Sequence, residues 1–205
     1  MRPLAKLGVG AVLALATGVA WQRVSPSACP YAQRWLLLFP RPWLTPEALI
    51  SILEPEPGER LLEIGPGVGH GALPVAGHLE PGGTLAAFDL QQEMLDNLAE
   101  RARARAIGNL EPTQGDATRL PYDDESFDGA YMVTVLGEVP DRAAALRELR
   151  RVLRPGARIV FGETLLDPHV LLPGTLRREA EAAGFRFDRF SGVPPLGFYA
   201  RFSVA

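Results

Sequence analysis

An α/β fold built on a doubly wound, mostly parallel sheet is what the sequence predicts, and three observations predict it. Short apolar runs at Leu61–Ile64, Thr84–Asp89 and Phe127–Val135 alternate with longer stretches whose apolar residues fall three and four apart. The first run breaks, at Glu63-Ile64-Gly65-Pro66-Gly67-Val68-Gly69, into a turn where missing side chains let a ligand approach the backbone. The second run ends in another acid, Asp89, 26 residues after Glu63, which is the scale of one strand–helix–strand unit.

Composition narrows the function classes. With 205 residues, 47% of them hydrophobic, the chain suits one domain with a real core and a modest extension. A net charge of −3 argues against a nucleic-acid binder, which carries a basic excess. The single cysteine, Cys29, rules out an internal disulfide framework and a cysteine-rich zinc site. His70, His78 and His169 are scattered without ligand spacing, so no metal is expected.

Residues 1–25 read as a hydrophobic N-terminal helix. Leu7 to Trp21 carry no charge, with Arg2 and Lys6 before them and Arg23 after. A helix of that length rises roughly 22 Å against a hydrocarbon core of ~30 Å, so it spans only with its flanks recruited. A cleaved signal peptide ending at Gly18-Val19-Ala20, a lipoprotein signal leading to Cys29 and a retained anchor all fit this pattern. Residues 26–46 form a proline- and aromatic-rich linker or lid, in which Pro26, Pro30, Pro40, Pro42 and Pro46 break any long helix around Trp35–Phe39. Such a cluster covers a site, contacts a membrane surface or packs on the domain core. Thr45-Pro46-Glu47 then starts a helix, with Thr as the cap and Pro in the first turn, and the main domain runs over 47–205.

Within that domain the strand Leu61–Ile64 feeds the glycine turn and a helix that includes Ala72–His78. Pro81-Gly82-Gly83 turns into the second strand, Thr84–Asp89. A carboxylate there accepts from two ribose hydroxyls or caps the next helix, whose apolar face is Met94, Leu95 and Leu98. Arg101, Arg103 and Arg105 alternate with alanines and read as a solvated face. Gly108-Asn109 closes the helix before a third strand, Leu110–Gln114, and Gly115-Asp116-Ala117 follows. The fourth strand starts at Phe127 and continues to Val135. Asp141 caps a helix that carries Leu146, Leu149, Val152 and Leu153, and Pro155-Gly156 turns into the fifth strand. A helix over Leu176–Ala183, ended by Gly184, leads to Phe185–Ser191 and Phe198–Val204, an antiparallel C-terminal pair that brings the sheet to seven strands.

Four of these stretches share one order: Glu63-x-Gly65-x-Gly67-x-Gly69, the acid Asp89, Gly115-Asp116-Ala117 before Leu120-Pro121-Tyr122 and Ser126-Phe127-Asp128, and Leu153-Arg154-Pro155-Gly156 before a strand. Over about residues 45 to 165 the chain resembles the class I S-adenosylmethionine (SAM)-dependent methyltransferases, and among them the ubiquinone/menaquinone-biosynthesis type. The resemblance implies a Rossmann-like seven-stranded sheet and SAM as the cofactor. It implies that Glu63 engages the cofactor's amino end and that Gly65, Pro66, Gly67 and Gly69 admit it closely. Asp89 and Leu90 would serve the ribose side, Asp116 the adenine amino group and the Ala117 amide the ring, with Thr134 on the cofactor-facing stretch. His70 would sit beside the cofactor. Where Gly137-Glu138 stands the family often carries histidine, so no histidine base is expected from that loop.

The chemistry implied is methyl transfer, with Glu138, Glu163 and His169 as candidate bases because they follow the fourth and fifth strands. Tyr31 joins them only if the linker folds over the cofactor. The acceptor is expected to be small and apolar or amphiphilic: a lipid, quinone precursor, thiol or phenol. A cytosolic cofactor favours the retained anchor, with the domain at the membrane facing the cytoplasm, or cytoplasmic if the helix does not insert. Two other readings stand beside this one. A non-catalytic SAM-binding membrane protein would carry the same cofactor residues. An NAD-dependent oxidoreductase is disfavoured because its fingerprint needs glycine where His70 stands. Oligomeric state is not legible.

Overall fold

The computed structural model describes residues 28–32 and 43–204. The expected N-terminal helix and the Trp35–Phe39 run lie outside the described residues. Among those described, no helix is long and apolar enough to cross a membrane.

The first element is α1 (Pro46–Leu53), begun as the sequence indicates: Thr45 Oγ1 accepts the Ala48 N–H at 3.2 Å and proline occupies the first turn. Then follow β1 (Arg60–Ile64), α2 (Ala72–His78), β2 (Thr84–Asp89), α3 (Gln92–Arg103), β3 (Leu110–Gln114) and β4 (Phe127–Val133). A 3₁₀ turn at Leu136–Glu138 precedes α4 (Arg142–Val152), β5 (Leu153–Thr164), α5 (Pro173–Ala182), β6 (Phe185–Val193) and β7 (Gly197–Val204). One seven-stranded sheet runs in the order β3-β2-β1-β4-β5-β7-β6. The first five of these strands are parallel, and β7 is antiparallel to both β5 and β6.

Strand alternation assigns the two faces. Leu61, Leu85 and Ala87 join Leu49, Ile52, Leu73, Val75, Leu95 and Leu98 under α1, α2 and α3. Leu62, Ala86 and Phe88 face the other way, onto Leu146, Leu149, Val152, Leu176 and Ala180 of α4 and α5. Because both faces are covered, the strands are nearly continuous apolar runs. Chain order reverses between β1 and β4, so the loops leaving those strands diverge and open a crevice at the carboxyl edge.

Several boundaries differ from the sequence reading: α5 starts at Pro173 rather than Leu176, β6 runs on to Val193 rather than Ser191, and three further differences have a visible cause. The strand expected to reach Val135 stops at Val133, because Thr134 takes a left-handed φ of +55° while its N–H donates to Gly162 O at 2.8 Å. Leu153, expected to end a helix, opens β5 opposite Phe127. Pro155 lacks an N–H and disfavours helical geometry in the residue before it, so α4 ends at Val152, and the buried Leu153 side chain packs in the core. The third helix ends at Arg103 rather than at Gly108-Asn109. Asn109 serves instead as a tie, its amide donating to Ala76 O and Gly83 O at 2.8 and 3.1 Å.

Candidate active site

The crevice floor is the glycine turn. Gly65, Gly67 and Gly69 hold φ of +70°, +51° and +80°, a region that favours glycine. A Cβ at Gly65 would collide with the Val135 side chain, and one at Gly69 would stand 2.6 Å from Leu98 Cδ1. The turn is anchored to its neighbours: Gly65 N–H donates to Phe88 O and Gly69 N–H to Pro66 O, both at 2.8 Å. Arg101, read in the sequence as solvated, is half-buried and donates to the carbonyl of Val68 inside the turn. Helical spacing places Arg101 on a helix but does not show that the turn lies beside it.

Glu63 and Asp89 flank this floor, both buried. Glu63 is 3% exposed and lies beneath Gly71, where a Cβ would come within 2.9 Å of its Oε1. The Tyr131 hydroxyl donates to Glu63 Oε2 at 2.9 Å. Burial pushes the Glu63 carboxyl up to about 8, with the Asp89 charge adding to the shift and the Tyr131 bond opposing it. Glu63 therefore holds a proton at neutral pH. Asp89 is 7% exposed, and its Oδ1 accepts the Gln91 N–H at 2.9 Å. Burial raises its pKa too, against hydrogen bonds from the amides of Gln91, Gly67 and Leu90. The same carboxyl thus ties the glycine turn to the end of β2. Leu90 beside it is 56% exposed, a large apolar side chain left at the crevice mouth.

Past β3, Asp116 is exposed and its Oδ1 accepts both the N–H and the hydroxyl of Thr118 at 2.8 Å. Ala117 is buried, and Gly115 lies so close to Phe88 that a Cβ there would be 2.5 Å from the ring. Thus Asp89, Leu90, Asp116 and Ala117 line one side of the crevice, next to the turn of Gly65, Pro66, Gly67 and Gly69.

Across β1, the loops after β4 and β5 close on each other. Gly137 has no room for a side chain because the His169 carbonyl fills the space a Cβ would take. Glu163 at the end of β5 is 1% exposed, and its Oε2 accepts the Leu171 N–H at 3.1 Å. Burial pushes Glu163 up to about 8, with Asp167 and Glu138 raising it further and Arg142 opposing. The His169 backbone N–H donates to Asp167 Oδ1 at 2.7 Å, and its ring Nδ1 stands 3.8 Å from the same oxygen. The three candidate bases Glu138, Glu163 and His169 are therefore brought together, with Thr134 at the junction. Among the described residues, no group of three His, Cys, Asp or Glu side chains is placed to hold a metal ion.

Sequence reasoning missed Gln91 and the backbone of Cys29. Cys29 N–H donates to Glu138 Oε2 at 3.3 Å, and its carbonyl accepts from Gln91 Nε2 at 2.8 Å. No periodicity or motif marks such a contact between residues so far apart in the chain.

Comparison with known proteins agrees with this geometry. Residues 62–161 match the methyltransferase domain family. The chain is similar to the 2-phytyl-1,4-naphtoquinone methyltransferase of Synechococcus elongatus, 38% identical over 115 residues, 56% of this chain and 48% of that protein. It is also similar to the 27-O-demethylrifamycin SV methyltransferase of Amycolatopsis mediterranei, 32% identical over 136 residues, 66% of this chain and 48% of that one. The chain therefore spans about half the length of these curated relatives. Among solved structures, a SAM-dependent methyltransferase from Aquifex aeolicus shares the fold. Its TM-score is 0.79 at 21% identity, covering 87% of this chain and all of that one.

Proposed function

We propose that the chain, whose residues 62–161 match the methyltransferase domain family, is a class I SAM-dependent methyltransferase that methylates a small apolar or amphiphilic acceptor, with Glu163 taking the acceptor's proton. The cofactor fits the crevice on a structural ground: a floor of left-handed glycines, one of which excludes any side chain, adjoins a buried acid and an exposed leucine. When bound, SAM supplies an electrophilic methyl group on a positively charged sulfur. Asp89 would accept from the ribose hydroxyls. Leu90 and Ala117 would cover the adenine, with Asp116 at its amino group. Glu63, Gly65, Pro66, Gly67, Gly69 and Thr134 would hold the methionine end.

Glu163 is the observation that carries the catalytic reading. It lies at the carboxyl end of β5, on the side of the crevice away from Asp89, with its pKa pushed close to working pH. Its ionised form would take the proton of an acceptor hydroxyl, thiol or amine, freeing a lone pair for the methyl carbon, whose bond to sulfur would break with its electron pair going to sulfur. Glu138 and Asp167 raise its pKa and Arg142 opposes them, while the His169 loop packs against Gly137. The relatives named above, a naphthoquinone and a rifamycin methyltransferase, support an acceptor of quinone-precursor or phenol type. Exposed Leu165, Leu166 and Leu196 beside Thr164 support an apolar one. The uncharged 7–21 run and Trp35–Phe39 support a membrane location, and the need for a cytosolic cofactor favours the cytoplasmic side for the domain.

The test is single-turnover transfer of a labelled methyl group to a panel of naphthols, phenols and lipid thiols across pH 6 to 9. Transfer that rises with pH toward a plateau above about 8 supports the reading. Loss of about a hundredfold or more in Glu163→Gln, with cofactor affinity unchanged, supports Glu163 as the base. Full activity in that variant overturns its role.

A further inference from the structure

The segment from Ala28 to Ala32 crosses the crevice. Cys29 donates its N–H to Glu138 Oε2 at 3.3 Å and offers its carbonyl to Gln91 Nε2 at 2.8 Å. Two residues on, the Tyr31 N–H donates to Gln91 Oε1 at 3.0 Å. Gln91 follows β2 and Glu138 follows β4, and β1 lies between those two strands in the sheet. Cys29 therefore bridges the loops that follow β2 and β4, on either side of β1.

Gln91 occupies the N-cap position of α3, yet its side chain makes no capping bond. A residue there ordinarily turns its polar group back to the free helix amides. Gln91 turns outward instead, and its amide takes both a carbonyl and an N–H of the crossing segment, as a neighbouring strand would. Its own N–H meanwhile donates to Asp89 Oδ1 at 2.9 Å. One residue therefore joins the crossing segment to the acid assigned to the ribose.

We propose that Gln91 is a positioning residue that latches residues 28–32 over the bound cofactor and so sets its residence time. The proposal rests on the SAM reading above. Cofactor and demethylated product would enter and leave only when the two amide contacts open.

The experiment measures release of S-adenosylhomocysteine from the full chain by stopped-flow displacement, in wild type, Gln91→Ala and Gln91→Glu. Gln91→Ala is expected to release product about tenfold faster, two neutral hydrogen bonds being lost. Gln91→Glu loses the donor to the Cys29 carbonyl while ionised and regains it as an O–H when protonated. Its release rate, taken as a ratio to wild type at each pH, should fall back toward one as pH drops from 8 to 5. Gln91→Ala should show no such recovery. The ratio cancels titration of the surrounding acids, Asp89 and Glu93 on the same loop and helix and Glu138 across the crevice. Wild-type release rates in a folded Gln91→Ala protein, or a ratio for Gln91→Glu that does not vary with pH, would overturn the latch alone. Wild-type protein that binds no S-adenosylhomocysteine overturns the cofactor reading and the latch together.

Discussion

Replacing Glu63 by Gln should flatten the dependence of stability on pH. Buried Glu63 and Glu163 both have carboxyls pushed from the ordinary value of 4.5 up to about 8. Between those limits the native protein keeps a proton on each that the unfolded chain has released. Native protein binding more protons means that unfolding becomes easier as pH rises, by about 1.4 kcal/mol per unit for each carboxyl. The stabilisation is complete below 4.5 and is lost as pH climbs through about 8. From pH 6 to 7.5 each carboxyl contributes a loss of about 2 kcal/mol, so the pair accounts for about 4 kcal/mol. Glu63→Gln is neutral at every pH, and its amide oxygen still accepts from the Tyr131 hydroxyl. It should remove about half of that fall, so the variant gains on wild type as pH rises. Asp89 is raised in the same direction and acts on both curves alike. Urea unfolding at half-unit intervals over this range measures the difference. Parallel curves for wild type and variant would refute the assignment of a proton to native Glu63.

Three further outcomes follow from the same site. Gly65→Ala forces a side chain into a left-handed position and against Val135; it should cost roughly 2–4 kcal/mol, and adding Val135→Ala should restore about half, read by urea unfolding. Arg101→Ala removes the donor to Val68 O in the glycine turn; calorimetry should show S-adenosylhomocysteine affinity weakened about three- to tenfold, while Arg103→Ala, at an exposed position, leaves it unchanged. Tyr131→Phe strips the hydroxyl that donates to buried Glu63; it should cost about 1–3 kcal/mol and carry the fall of stability with pH to higher values, seen in the same unfolding series.

The sequence revealed most of what local pattern controls. Strand-length apolar runs, the Thr45-Pro46 start and the Asp141 cap each act within a few residues of themselves. The structure places their elements at or close to the expected positions. Fixed motifs likewise brought Asp89, Asp116 and the glycine turn to one edge, because the sheet order carries the ends of β1, β2 and β3 there together. What escaped is tertiary. Arg101 looks like its exposed neighbours Arg103 and Arg105 until α3 packs beside the turn. Gly137 looks like a lost functional position, yet its missing side chain is where the His169 carbonyl packs. Gln91 looks like an indifferent helix start, and only the return of Cys29 from 62 residues away gives its amide partners. Strand ends moved for a related reason: at Thr134 a bond to Gly162 O outweighed the local preference to stay extended.

The central claim is that Asp89 and the glycine turn hold SAM. Calorimetric titration of the purified full chain with S-adenosylhomocysteine, repeated on Asp89→Ala and against NADH, tests it most directly. The account predicts micromolar binding to wild type, weakening of about ten- to a hundredfold in Asp89→Ala as charge-assisted hydrogen bonds are lost, and no heat with NADH. A folded wild type that ignores S-adenosylhomocysteine, or an Asp89→Ala variant that binds it as tightly, would contradict the account.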